Sequence, residues 1–217
     1  MAKMIDNKPS WKGEGKVWES LSANLPGDNV VYNQREVNGR EYDFCVMAEN
    51  LGLVIIEVKG WDPDKIDVRG VDNIIVDGYD EPQTSPKKQA RAYRFAILNK
   101  IVEKYNASPL VLDMVCYPFI TQEQYVRTKL DIVSEPEYTI FKEDIEDGKK
   151  LNEKIQHLFT LNKFIPHADF SYDLMVRIRK QLEPDFKLSV IDNKNKPYSK
   201  LSIFPNGINE NLIHAII

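Results

Sequence analysis

The chain has 217 residues and a mass of 25.1 kDa, enough for one substantial core or for a domain with a helical appendage. Its 42% hydrophobic and 29% charged residues are ordinary for a globular protein. No apolar run approaches the ~20 residues of a membrane span, and the opening MAKMIDNKPS has no apolar signal core, so a cytoplasmic location is expected. A net charge of −4 and a pI near 5.5 argue against holding nucleic acid by bulk positive charge, yet leave room for an acidic site bridged to phosphate by bound metal.

The first organised segment, WKGEGKVWESLSANL, spaces Trp11, Val17, Trp18, Leu21 and Leu25 at roughly helical intervals. It predicts an amphipathic helix from Gly13 to Leu25, stopped by PGD at 26–28. VVYNQREV and EYDFCVMA are strand-like runs joined at Asn38-Gly39, a strong hairpin signal. A turn near Glu49–Leu51 leads into LGLVIIEVKGW, whose LVIIEV core is apolar on both faces, as in a central strand covered on both sides. WDPDKIDVRGVDNIIVDGYD alternates and turns, predicting a further hairpin at the sheet edge. SPKKQARAYRFAILNKIVEKY is the clearest helix, with Ser85 as N-cap, Pro86 at the first helical position, and Ala92, Phe95, Ala96, Leu98, Ile101 and Val102 as its apolar face. SPLVLDMVCYPFI reads as another buried strand and EYTIF as a short one, while Glu146 to Leu182 is helical in pattern. DNKNKPYSKLSIFPNGINENLIHAII reads as loop, strand and the start of a helix, and its ending on HAII suggests a piece of a longer protein.

This order predicts an α/β or α+β domain over residues 1–145, with a mixed central sheet flanked by helices, and a mainly helical extension or linker over 146–217. Cys45 and Cys116 lie in apolar strand-like runs and are expected as buried free thiols.

Acid-x-Lys occurs six times, at Asp6, Glu14, Glu57, Asp147, Asp185 and Asp192, so the tripeptide alone carries little. Only at Glu57 does it end a predicted central strand, where Glu57 and Lys59 project together and Val58 packs opposite. A salt-bridged strand end meeting solvent accounts for those two residues by themselves. Asp43 shifts the balance, because pairing through the turn near Glu49–Leu51 brings it alongside Glu57. Neighbouring carboxylates repel, more so when buried. The usual remedy is a cation such as Mg²⁺ or Mn²⁺, which takes carboxylates, a backbone carbonyl and waters as ligands. Lys59 beside that cluster could orient or deprotonate an attacking water, or stabilise charge on a scissile phosphate.

Gly13-Glu14 opening a helix, Asp43 starting an apolar strand, Glu57-Val58-Lys59 followed by Gly60-Trp61, and Gln89 in the next long helix together resemble the nuclease-related domain (NERD) family. That family looks like a branch of the PD-(D/E)XK superfamily, similar to archaeal Holliday-junction resolvases. The resemblance covers about residues 10–120, with GLVIIEVKGW as its most specific tract. It implies a restriction-endonuclease-like fold and metal-dependent hydrolysis of phosphodiester bonds in DNA. By the same resemblance Asp43, Glu57 and the Val58 carbonyl would hold Mg²⁺ or Mn²⁺, and Lys59 would be the catalytic lysine. Glu14 would complete the metal site or hold a water, and Gln89 would face the site from its helix. Glu19 is a rival to Glu14, but its five-residue offset puts it on a different part of the helix. The Asp43-to-Glu57 spacing is about one residue longer than the family pattern, which implies a different turn. Fusion of such domains to helicase or other DNA-processing modules implies a partner of that kind. The alternative is a non-catalytic nucleic-acid-binding or assembly module with the same fold, and metal binding separates the two.

His157, His167 and His214 have no metal-ligand spacing, and the absence of a GxxxxGK[ST] loop excludes ATP binding in the Walker manner. Lys87, Lys88, Arg91 and Arg94 read either as a solvated helix face or as phosphate contacts flanking the site. Arg177, Arg179 and Lys180 carry the same ambiguity. Trp11, Trp18 and Trp61 read as core or strand-edge packing rather than as stacking platforms for bases.

Overall fold

A computed structural model describes residues 1–37, 39–182, 187–191 and 197–202. In chain order the first elements are β1 (Lys3–Met4), α1 (Lys12–Asn24), β2 (Val30–Val37), β3 (Arg40–Ala48) and β4 (Gly52–Val58). Then come β5 (Ile66–Gly70), β6 (Asn73–Val76), α2 (Pro86–Tyr105), β7 (Val111–Cys116), α3 (Gln122–Arg127) and β8 (Thr139–Ile140). The chain continues with α4 (Lys142–Glu146), α5 (Gly148–Asn162), α6 (Tyr172–Leu182), β9 (Lys187–Ile191) and β10 (Pro197–Ser202).

Six strands form one mixed sheet in the order β1-β2-β3-β4-β7-β8. β2, β3 and β4 are a meander of antiparallel pairs, whereas β7 joins β4 in parallel after the α2 crossover. The meander turns where glycine permits: Gly39 has φ +75°, and Gly52 has φ +143° with the ideal position of a Cβ only 2.1 Å from the Leu110 carbonyl oxygen. All seven residues of β4 are buried, as its two-faced apolar run predicts. On one face α1 and α5 supply Val17, Leu21, Leu151, Ile155 and Leu158 to a core with Phe44, Val54, Ile56 and Met114. On the other face α2 packs on β4 and β7. Cys45 and Cys116 are both buried free thiols.

Three expectations change. The β5–β6 hairpin forms a two-stranded sheet of its own instead of extending the main sheet, whose edges are β1 and β8. The 3₁₀ turn at Pro63–Lys65 interrupts the chain after β4, and Val68, Ile74 and Val76 pack instead with Trp61, Tyr117 and Tyr125 in a second core. Helix α2 buries Ile101 of the expected face together with Lys87, Ala90 and Ile97, which were not part of it, whereas Phe95 and Val102 are 47% and 40% exposed. Beyond α6 the described chain is an antiparallel pair of strands, in which β10 falls on the strand expected in that tail and β9 is a partner that the pattern did not predict. The helix start expected near the end lies outside the described residues.

The chain divides into two compact units, Met1–Met175 and Val176–Ile217. The first contains the whole six-stranded sheet, and α5 belongs to its core, past the limit near residue 145 drawn from sequence. No described helix is long and apolar enough to cross a membrane.

Candidate active site

Two strands and one helix end bring the acidic residues together. β3 pairs with β4 from Ala48–Gly52 to Phe44–Ile56, and there the ladder stops. Beyond that point β3 stays with β2 through Tyr42, Glu41 and Arg40. The next outward pair would be Asp43 with Glu57. The gap left by the missing ladder bond is closed by the Asp43 side chain, whose Oδ2 accepts from the Val58 N–H at 2.6 Å. Burial first, then repulsion from the Glu57 carboxylate, pushes the Asp43 carboxyl up to about 7 despite that bond.

Glu57 is 4% exposed. Its Oε1 is 2.7 Å from Lys59 Nζ, so the two side chains meet on the same face of β4 as their spacing requires. Its Oε2 is buried with no hydrogen-bond partner. An unpartnered buried carboxylate oxygen carries a large desolvation cost, and here it sits beside a second carboxylate.

Glu14 arrives from the first turn of α1, where a negative charge is favoured by the helix dipole. The helix reaches the end of β4 through two glycines: an ideal Cβ on Gly13 would lie 3.3 Å from Gly60 Cα. Burial raises the Glu14 carboxyl above its ordinary range; a hydrogen bond from Gln34 opposes the shift, and the carboxylates of Glu41 and Glu57 add to it. Glu19 points elsewhere, to an exposed ion pair with Lys8.

Nothing in the sequence pattern singles out Gln34. It sits inside β2 with φ +51°, a left-handed conformation uncommon for a side-chain-bearing residue. The flanking pairs Asn33–Phe44 and Arg35–Tyr42 put it across from Asp43. From there its Nε2 donates to Glu14 Oε2 at 2.9 Å.

The remaining candidates divide. Gln89, in the first turn of α2, donates to Thr84 Oγ1 at 2.7 Å rather than to any of the carboxylates. Lys87 and Arg94 turn inward onto buried Asp113 of β7, at 2.9 and 3.0 Å, and burial lowers the Lys87 amine's pKa against the pull of Asp113. Lys88 pairs on the surface with Asp72, and Arg91 is exposed. His167 Nδ1 lies 2.6 Å from the Ile165 carbonyl, and His214 lies outside the described residues.

A cavity of about 450 Å³ opens over the cluster, walled by Glu14, Val58, Lys59, Trp61, Tyr79 and Phe119 among others. A smaller hollow of about 210 Å³, beside Asn50, Phe159 and His167, lies at the other end of β4 and gathers no cluster of acids. Among the described residues no three of His, Cys, Asp and Glu form a ready-made cage for a metal. What exists is an all-oxygen donor set with one orphaned carboxylate oxygen, which suits a hard divalent ion that keeps several waters.

A mixed sheet between helices, with paired acids and a lysine where its central strand ends, is the frame of a nuclease-like α/β domain. The model of the nuclease-related domain family matches residues 9–118, just over half of the 217-residue chain and the stretch that holds Glu14, Gln34, Asp43, Glu57 and Lys59. The chain belongs to that family. No curated protein and no solved structure gives a significant match.

Proposed function

We propose that this chain is a divalent-metal-dependent nuclease that hydrolyses phosphodiester bonds in DNA at the Asp43–Glu57–Lys59 cleft. The observation that carries this reading is Glu57 Oε2, buried and unpartnered beside a second carboxylate. A cation relieves both the missing hydrogen bond and the repulsion at once. Asp43, Glu57, the Val58 carbonyl and Glu14 would hold Mg²⁺ or Mn²⁺, which when bound supplies Lewis-acid polarisation of phosphoryl oxygens and a water of lowered pKa.

The chain's own groups supply the rest. Lys59 Nζ, held by Glu57 Oε1 at 2.7 Å and with its side chain 20% exposed, donates to a non-bridging phosphate oxygen and stabilises the charge added during in-line attack. Glu14 has one oxygen fixed by Gln34, and the other would either complete the metal site or hold the attacking water. Exposed Arg91 and Lys88, with its surface partner Asp72, are the members of the basic cluster available to flanking phosphates. A helicase-type partner module, fused or associated, belongs to the same reading and rests on the family resemblance alone.

The test is cleavage of supercoiled plasmid and of single-stranded DNA with Mg²⁺ or Mn²⁺, comparing the parent with Lys59→Ala and Glu57→Ala. Metal-dependent cutting lost in both variants is the expected result. Cutting that survives in both would sink the site assignment. No cutting, together with no Mn²⁺ binding, would leave a non-catalytic module of the same fold.

A further inference from the structure

Trp11, whose spacing predicts packing, stands on the surface. Trp11 is 73% exposed, whereas Trp61 is 3% exposed and fixed in a row of rings with Tyr117, Tyr125 and Phe141. Trp11 lines two of three adjoining hollows, of about 480, 450 and 350 Å³, all of which share Lys12 and Phe119. Together they make a continuous trough along the start of α1, and its middle section is the cavity walled by Glu14 and Lys59.

The trough combines ring faces with cations. Tyr79, 54% exposed, lines the middle section with Trp11. Lys12 and Lys16 hold their ammonium groups 5.7 and 5.8 Å from the Phe119 ring centroid. Lys12 has no carboxylate within ion-pair distance among the described residues. Lys8 and Lys16 are paired with Glu19 and Glu146, whose side chains are 61% and 51% exposed. Such surface pairs exchange readily for a phosphate.

We propose that this trough binds an unpaired DNA strand, with bases stacked on Trp11 and Tyr79 and phosphates near Lys8, Lys12 and Lys16, leading it across the Lys59 cleft. The inference rests on the nuclease reading for what happens at the cleft, but not for the binding itself. A duplex keeps its base faces inside its own stack and gains little from exposed rings, whereas every unpaired base offers a π-face. With a net charge of −4 the chain lacks the field for tight binding by phosphate alone, so stacking must carry much of the affinity. Three lysines set a shallow salt dependence, with a slope of log K against log salt near −2 at about 0.7 per neutralised phosphate on a single strand.

The experiment is a titration of the full chain in EDTA, so that no strand is cut, with fluorescently labelled oligothymidylate and with a blunt DNA hairpin. The expected result is strand binding at least tenfold tighter than hairpin binding and a salt slope near −2. Trp11→Ala should weaken strand binding roughly tenfold and leave hairpin binding unchanged, with Trp11→Phe retaining most of the affinity. Unchanged strand affinity in Trp11→Ala, or equal affinity for strand and hairpin, would overturn the proposal. The two readings separate cleanly. Trp11-dependent strand binding without metal-dependent cutting would keep the trough and remove the nuclease. Cutting of duplex that ignores Trp11 would do the reverse.

Discussion

Replacing Asp43 with asparagine should make the metal-free protein more stable at neutral and alkaline pH while removing its response to metal. The Asp43 carboxyl ionises at an ordinary 3.8 in an unfolded chain and is pushed up to about 7 in the fold. The folded state therefore holds the proton more tightly, so stability is fully present below about pH 4 and declines as pH rises to 7. At about 1.36 kcal/mol per pH unit the ionised group costs the fold at most about 4 kcal/mol at pH 8. Solvent in the open cleft screens part of this, which makes a working figure of about 2 to 4 kcal/mol. Asparagine keeps an oxygen for the Val58 N–H and discards the charge. The assay is urea unfolding of parent and Asp43→Asn in EDTA from pH 4 to 8. The two curves should coincide near pH 4 and separate above it, with the variant more stable. Saturating Mn²⁺ should then raise the parent's midpoint and leave the variant's in place. A flat difference across the whole range, or a less stable variant at pH 8, would refute the account of two carboxylates held together against their repulsion.

Gln34→Gly removes left-handed strain of about 1 kcal/mol together with the hydrogen bond to Glu14. Thermal stability should stay within about 1 kcal/mol of the parent, while Mn²⁺ affinity by calorimetry falls and the pH profile of cutting shifts; unchanged affinity and profile would detach Gln34 from the site. Lys87→Met leaves buried Asp113 with Arg94 as its remaining cation and should cost about 2 to 4 kcal/mol in urea unfolding. A loss under about 0.5 kcal/mol, the level of an ordinary surface change, would mean that the inward pair contributes little.

The strands were legible because their signals are local. Asn38-Gly39 marks one turn, and a short β-branched run apolar on both faces suggests a covered strand, so the β2–β3–β4 meander and the Asp43–Glu57 neighbourhood followed from local pattern. The inward stripe of α2 was not legible, because Lys87 and half-buried Arg94 line it beside Ala90, Ile97 and Ile101, and an apolar count ignores cations. The clue was Asp113, a lone acid in the strand LVLDMVC, which needs cationic partners when buried. Trp11 obeyed the helical spacing of the core residues but stands at the N-cap, where spacing no longer decides which way a side chain faces. Gln34 had no signal of any kind, since its role depends on a backbone angle and on a helix twenty residues upstream.

The approach of Gly13 to Gly60 divides the proposed reactive centre into two mechanical halves. Asp43 and Glu57 ride on sheet strands joined here by the Asp43–Val58 bond, and Lys59 follows β4 with its N–H held by the Cys116 carbonyl, so their spacing is as stiff as the sheet. Glu14 rides on a helix that meets that sheet end over bare backbone and is tethered by one amide. A small tilt of α1 would therefore retune the distance of one acid while leaving the other three groups in place. Any strand lying along the start of that helix would press on the adjustable half first, so that occupancy of the trough and alignment of Glu14 become a single event.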